Sequence, residues 1–173
     1  MAITAQYLGM PLDVSELDVE NLDYFRHCAA HAFHLQACTA CNLLRYPPTT
    51  ACPWCAAPGA RWVAVEGRGS VHSYTEVHHA IQPAFRGHTP YLVLLVDLDT
   101  QKGVPSAEEA LRVVGNLTTA DGVLAPPDLV RKVGIGTRVR MVFTDIAPGL
   151  ALPQWTLDET AAAPAAGWRY PQE

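Results

Sequence analysis

Charge is scarce in this sequence. Only 17% of its 173 residues are charged, below the quarter or so that is typical of soluble domains. A chain with so little surface charge is expected to hide part of its surface against a partner. A basic excess is missing as well: the net charge is −5, which argues against a general nucleic-acid binder, whose affinity comes from neutralising phosphates. No apolar run approaches the roughly 18 residues of a membrane span; the longest convincing one runs from Tyr91 to Val96. The opening Met1-Ala2-Ile3-Thr4 has neither the basic nor the apolar stretch of a secretory signal, and there is no internal repeat. These absences predict a cytoplasmic protein with reduced thiols and no membrane partner. Its 49% of apolar residues is enough to build a core.

Against that background the cysteines stand out. Cys38-Thr39-Ala40-Cys41 is followed after ten residues by Cys52-Pro53-Trp54-Cys55. Two such pairs, each on a tight turn and joined by a short hairpin, bring four sulfurs to the corners of a tetrahedron, the spacing of a zinc ribbon or rubredoxin-type knuckle. The expected ligands are therefore Cys38, Cys41, Cys52 and Cys55. A closed four-thiolate site with no open position points to structural Zn2+, and iron binds the same geometry. Disulfides or redox pairs are the alternative, but doubled C-x-x-C pairs in a reducing compartment usually bind metal. Trp54, between the second pair, is expected to shield the metal. The fifth cysteine, Cys28, lies near a helical apolar stripe and reads as a small buried hydrophobe.

The flanking segments supply a fold. Residues 1–14 lack periodicity and read as an extended or loose leader. Over residues 15–34 the apolar positions Leu22, Phe25, Ala29 and Phe33 recur at helical spacing, with Ser15 or Asp18 as the cap. Ribbon strands are expected at 33–37 and 43–46, with another leaving the ribbon at 62–65. Beyond Gly67 the pattern is all β, with strands at 69–77, 91–96, 111–117, 138–143 and 154–157. The second should be covered on both faces; the fourth should turn Val139, Met141 and Phe143 to one side. A short helix or turn fits near residues 126–132, and five strands with that break suit the OB-fold. The fold class is thus mainly β: an N-terminal α-helix, a four-cysteine zinc ribbon, then a five-stranded OB-fold barrel. The segments are 1–34, 35–66, 67–157 and an Ala/Pro-rich tail at 158–173. The tail reads as disordered, although its Trp168 and Tyr170 would also suit a docking peptide.

A catalytic constellation is harder to assemble. His72, His78, His79 and His88 fall on or near the first barrel strand and its loop, but Ser70 and Ser73 make no triad with them. A metal site at His78-His79 and His88 is disfavoured because adjacent strand residues face opposite ways. No catalytic residue is assigned. Arg86, Arg131 and Lys132 are candidates for holding a phosphate group, with solvated charge as the plainer reading, and none is committed.

Several features coincide with a known family: the helix, the paired C-x-x-C motifs, Trp62, Gly67-Arg68-Gly69-Ser70-Val71, the strand from Pro90-Tyr91 to Asp97-Leu98-Asp99, and Ile135-Gly136-Thr137-Arg138-Val139. Their order resembles the acyl-CoA-associated family that joins a rubredoxin-like zinc ribbon to an OB-fold, once catalogued only as a domain of unknown function. The resemblance covers roughly residues 20–157, and residues 99–111 form a longer loop than its tight turn. It implies a non-catalytic subunit that pairs with thiolase-superfamily proteins, among them thiolases, acyltransferases and steroid side-chain aldolases. Such a subunit supports assembly and accommodates the CoA-thioester substrate together with its partner. The rival reading is a single-stranded nucleic-acid-binding ribbon/OB protein. Against it, residues 67–146 carry eight Lys/Arg, eight Asp/Glu and only four aromatics, a poor stacking groove.

Overall fold

The structure is a computed structural model that describes residues 3–14, 19–162 and 167–171. Ser15 and Asp18, the expected caps of the first helix, lie outside the described residues.

The first segment is a β-hairpin rather than a loose leader. β1 (Ile3–Tyr7) pairs antiparallel with β2 (Met10–Val14). Leu8 and Gly9 at its tip have φ of 52° and 81°, as a two-residue type I′ turn requires. A leucine in the left-handed region is uncommon, which is why the turn is hard to see in sequence. Tyr7 anchors the hairpin to the barrel: its buried ring meets Phe85 edge-on at 5.9 Å, and its hydroxyl accepts a bond from Gln154 at 3.4 Å.

α1 (Val19–Ala29) follows and buries Leu22, Tyr24 and Cys28. It ends sooner than the apolar spacing predicts, because His31 takes a left-handed φ of 52° and turns the chain into β3 (His34–Cys38). His31 also ties this corner to the barrel, lying 2.8 Å from the Asp145 carboxylate and stacked on Phe143. β4 (Leu44–Arg45) and β5 (Ala60–Ala64) flank β3 in a three-stranded antiparallel sheet of order β4-β3-β5.

The five-stranded sheet has the order β10-β9-β6-β7-β8, built from β6 (Arg68–Val77), β7 (Tyr91–Leu98), β8 (Arg112–Asn116), β9 (Arg138–Ala147) and β10 (Leu150–Leu157). A parallel bridge between Leu117 and Trp155, with Thr118 N–H donating to the Trp155 carbonyl at 2.7 Å, closes the sheet into a barrel. The OB-fold expectation therefore holds. The break before β9 contains a short helix, α2 (Pro127–Val130). β10 starts four residues earlier than its expected span and contains Pro153; at the end of the strand order a missing N–H is tolerated.

Two expectations about burial change. In β7, Leu92, Leu94, Val96 and Leu98 are fully buried, while Tyr91, Val93, Leu95 and Asp97 are only half-buried. The outer face of this strand is covered in part, with Phe85 of the 3-10 turn Pro83–His88 lying on Tyr91. Phe143, expected inside with Val139 and Met141, is half-buried beneath His31, and Val142 is buried instead.

One continuous apolar cluster unites these parts. It runs from Tyr24 and Cys28 of α1 through Phe33 and Leu35 to Leu94, Val113, Val139 and Trp155 of the barrel. The ribbon contributes little to it beyond β3.

Candidate metal centre

The two cysteine pairs sit on turns with the same hydrogen-bond pattern. In the first, Asn42 N–H donates to the Cys38 carbonyl at 3.0 Å and Cys38 N–H to the Leu43 carbonyl at 3.0 Å. In the second, Ala56 N–H donates to the Cys52 carbonyl at 2.8 Å and Cys52 N–H to the Ala57 carbonyl at 2.9 Å. The residue after each pair, Asn42 or Ala56, has a φ of 60°. Asparagine is a familiar occupant of that region and alanine is not; the second turn is thus held by its surroundings.

These turns aim all four sulfurs at one point. Cys38 and Cys55 Sγ are 3.6 Å apart, Cys41 and Cys52 Sγ are 3.7 Å apart, and all four lie within 4.8 Å of one another. A disulfide would need about 2.05 Å, so the cysteines are free thiols. A metal with four thiolates at about 2.3 Å has tetrahedron edges of about 3.8 Å, which matches the two close separations. The four cysteines are thus positioned to hold a metal ion. Backbone N–H groups of Cys41 and Ala40 pull the Cys38 thiol down to about 6, whereas Cys41, against the Leu43 N–H, is pushed up to about 12 by burial and the neighbouring thiols, so a metal would have to displace its proton. Cys38 and Cys52 are buried, Cys41 is intermediate and Cys55 is exposed. Cys28 lies elsewhere, in α1, with its thiol pushed up to about 12 by burial.

The surroundings of the cluster were only partly foreseen. Trp54 caps the turn, its indole N–H donating to the Leu44 carbonyl at 3.3 Å. Arg45 is buried with no acidic partner among the described residues: its Nε donates to Gln36 at 2.7 Å and Nη2 to the Thr49 carbonyl at 2.8 Å, and Gln36 also accepts from Thr49 N–H. The long loop after β7 reaches back here. The Gln101 side chain accepts from Leu44 N–H at 2.6 Å and donates to the Leu44 carbonyl at 3.1 Å. Nothing in sequence spacing links positions 101 and 44.

At the joint between α1 and the ribbon, the His27 ring stacks on His34 at 4.1 Å and meets Trp62 at 5.1 Å. Burial, then the neighbouring His34, lowers the proton affinity of His27 below the usual 6.5, opposed by Asp23. The unfolded chain therefore binds this proton more readily than the folded one. The contribution of His27 is complete above about 6.5 and is lost as pH falls toward its lowered folded value. We expect the urea midpoint to drop between pH 7.5 and 5.5 by more in the wild type than in His27→Gln; equal drops would remove His27 from the account.

The histidines on and after the first barrel strand do not converge on one site. His72 is the extra residue of a β-bulge in β6 and lies 3.1 Å from Asp97. His78 faces Glu76 at 3.5 Å, and His88 ends the 3-10 turn that also carries Arg86. Of the barrel cations, Arg68, Arg112, Arg131 and Arg138 are paired with Asp158, Asp97, Asp128 and Asp99.

Comparison with known proteins gives consistent results. The family described as "ChsH2, C-terminal OB-fold domain" matches residues 62–144. The "Probable enoyl-CoA hydratase alpha subunit" of Thermomonospora curvata is 34% identical over 134 residues, covering 78% of this chain and 36% of that protein. The chain thus spans about a third of the length of the curated relative it matches. A solved structure described as "Ltp2-ChsH2(DUF35) aldolase" aligns with a TM-score of 0.64 and 31% identity, over 83% of this chain and 98% of that one.

Proposed function

This chain belongs to the DUF35 family of ChsH2-type proteins, and on that premise we propose that it is a non-catalytic accessory subunit of an acyl-CoA enzyme. The observation that carries the reading is the alignment, at 31% identity, with 98% of a chain in the structure described as "Ltp2-ChsH2(DUF35) aldolase". The curated relative, named as the alpha subunit of an enoyl-CoA hydratase, supports a setting in CoA-thioester chemistry. The partner is a thiolase-superfamily protein, either a thiolase/acyltransferase or a retro-aldolase of the kind that acts on steroid side chains. It supplies the reacting groups.

In this reading Cys38, Cys41, Cys52 and Cys55 hold a structural Zn2+. A metal with four thiolates has no open position for substrate, so its contribution is to hold the ribbon's shape. The thioester is held jointly by the barrel and the partner. Arg68, Arg112, Arg131 and Arg138 face carboxylates, which leaves Arg86 and Lys132 as the phosphate candidates on this chain. The domain division at residues 34, 66 and 157 belongs to the same proposal, with the ribbon and its helix as the assembly surface.

Co-expression tests it. An untagged thiolase-like protein should co-purify with the tagged chain as one hetero-oligomer, and acyl-CoA turnover should require both. A chain that stays alone in the presence of every thiolase-like protein encoded beside it would overturn the proposal.

A further inference from the structure

The final described stretch, residues 167–171, was expected to be disordered but is docked on the barrel. Trp168 and Ile135 form an antiparallel bridge: Ile135 N–H donates to the Trp168 carbonyl at 2.8 Å, and Trp168 N–H to the Ile135 carbonyl at 2.9 Å. The two main chains are so close that a Cβ on Gly134 would stand 2.3 Å from the Trp168 oxygen. Two residues further, Tyr170 N–H donates to the Tyr74 hydroxyl at 2.9 Å.

Between these main-chain anchors, Arg169 enters a socket. Its guanidinium donates to the Val130 and Val133 carbonyls and to the Glu76 carboxylate, and it lies over the Tyr74 ring with 5.3 Å to the centroid. The Arg169 and Glu76 side chains are only 20% and 14% exposed. Acceptors diverging in this way suit the planar fork of a guanidinium, whereas an ammonium could not reach them all at once. Trp168 and Tyr170 alternate with Arg169 and face outward, 56% and 73% exposed. The barrel therefore reads the main chain and the arginine, and leaves the aromatics unread. A backbone ladder with a pocket for one intervening side chain is the strand-addition mode of peptide recognition.

We infer that this barrel face is an arginine-selective peptide groove, with Gly167-Trp168-Arg169-Tyr170 of the same chain as its ligand in cis. An extended segment with a small residue two positions before an arginine is the class of peptide that competes for it. The inference is independent of the proposed subunit role.

The test uses full-length chains and a fluorescent peptide of residues 165–173. Arg169→Ala, checked for metal content and circular dichroism, should bind the peptide saturably. The wild type should not, because its own tail holds the groove at a high effective concentration. A peptide with lysine in place of arginine should bind at least about tenfold more weakly. A folded Arg169→Ala chain that ignores the peptide, equal binding of both peptides, or equal binding by the wild type would each overturn the inference. A second readout needs no vacated groove. Trypsin should release the fragment 170–173 slowly from the wild type and at least about tenfold faster from Glu76→Gln, which weakens the socket. Equal release rates would overturn it as well.

Discussion

Cys52→Ala is expected to abolish metal binding, unravel the ribbon turns and prevent capture of the partner subunit. Structural zinc sites in small modules contribute about 10–16 kcal/mol of apparent binding energy, as much as the whole stability of an ordinary domain at about 5–15 kcal/mol. The ribbon has no other source on that scale. Its second turn, Cys52 to Ala57, is fastened by two backbone bonds and lies outside the apolar cluster, which reaches the ribbon mainly through β3 and the partly buried Leu44, Tyr46 and Trp62. The barrel should keep its β-sheet, since Leu92, Leu94, Val96 and Val113 pack without help from the metal. Metal analysis, limited proteolysis of residues 39–59 and partner co-purification read the three parts of this result. Cys28→Ala is the control: its thiol lies in α1, so the metal should stay. A metal-free Cys52 variant that still forms a fully active complex would refute the staple role.

The second large effect is expected at the barrel seam. Trp155 is fully buried, its ring lies against Gly115, and its carbonyl takes the Thr118 N–H that closes β8 onto β10. Trp155→Ala should cost about 3–5 kcal/mol, the usual range for deleting a buried aromatic side chain. That would lower the urea midpoint without changing the metal content. Among the described residues the indole N–H has no hydrogen-bond partner, so Trp155→Phe should recover most of the loss by filling much of the volume and removing an unsatisfied donor. A loss under about 1 kcal/mol for the alanine variant would mean that the seam collapses to fill the space.

These two sites differ in how far the sequence reveals them. The cysteine spacing specifies a local geometry, so the four sulfurs converge as expected, and the β-former-rich run of β6 and the alternation in β9 mark strands without further context. Trp155 was legible as a strand residue but not as the closure of a barrel, because that contact joins positions 38 residues apart in sequence to its partner Leu117. The tail reads as a docking peptide only secondarily in sequence, and the arginine that carries the docking is not singled out, for a related reason. Its composition is that of a disordered segment, and the Arg169 socket draws on α2, β6 and the turn before β9, which meet only in the folded chain. The first hairpin escaped notice because Leu8-Gly9 lacks the usual Asn-Gly signal. Long-range closure and side chains that bind backbone leave no periodic trace.

Gln101 has a consequence for solubility. β4 lies at the end of its sheet, so the outward N–H and C=O of Leu44 would otherwise be open to pairing with a strand of another molecule. The Gln101 amide meets both groups at once, and the Trp54 indole adds a second donor to the carbonyl. One side chain thus imitates the missing neighbour strand. The extended loop after β7 occupies an edge that would otherwise be open to strand pairing.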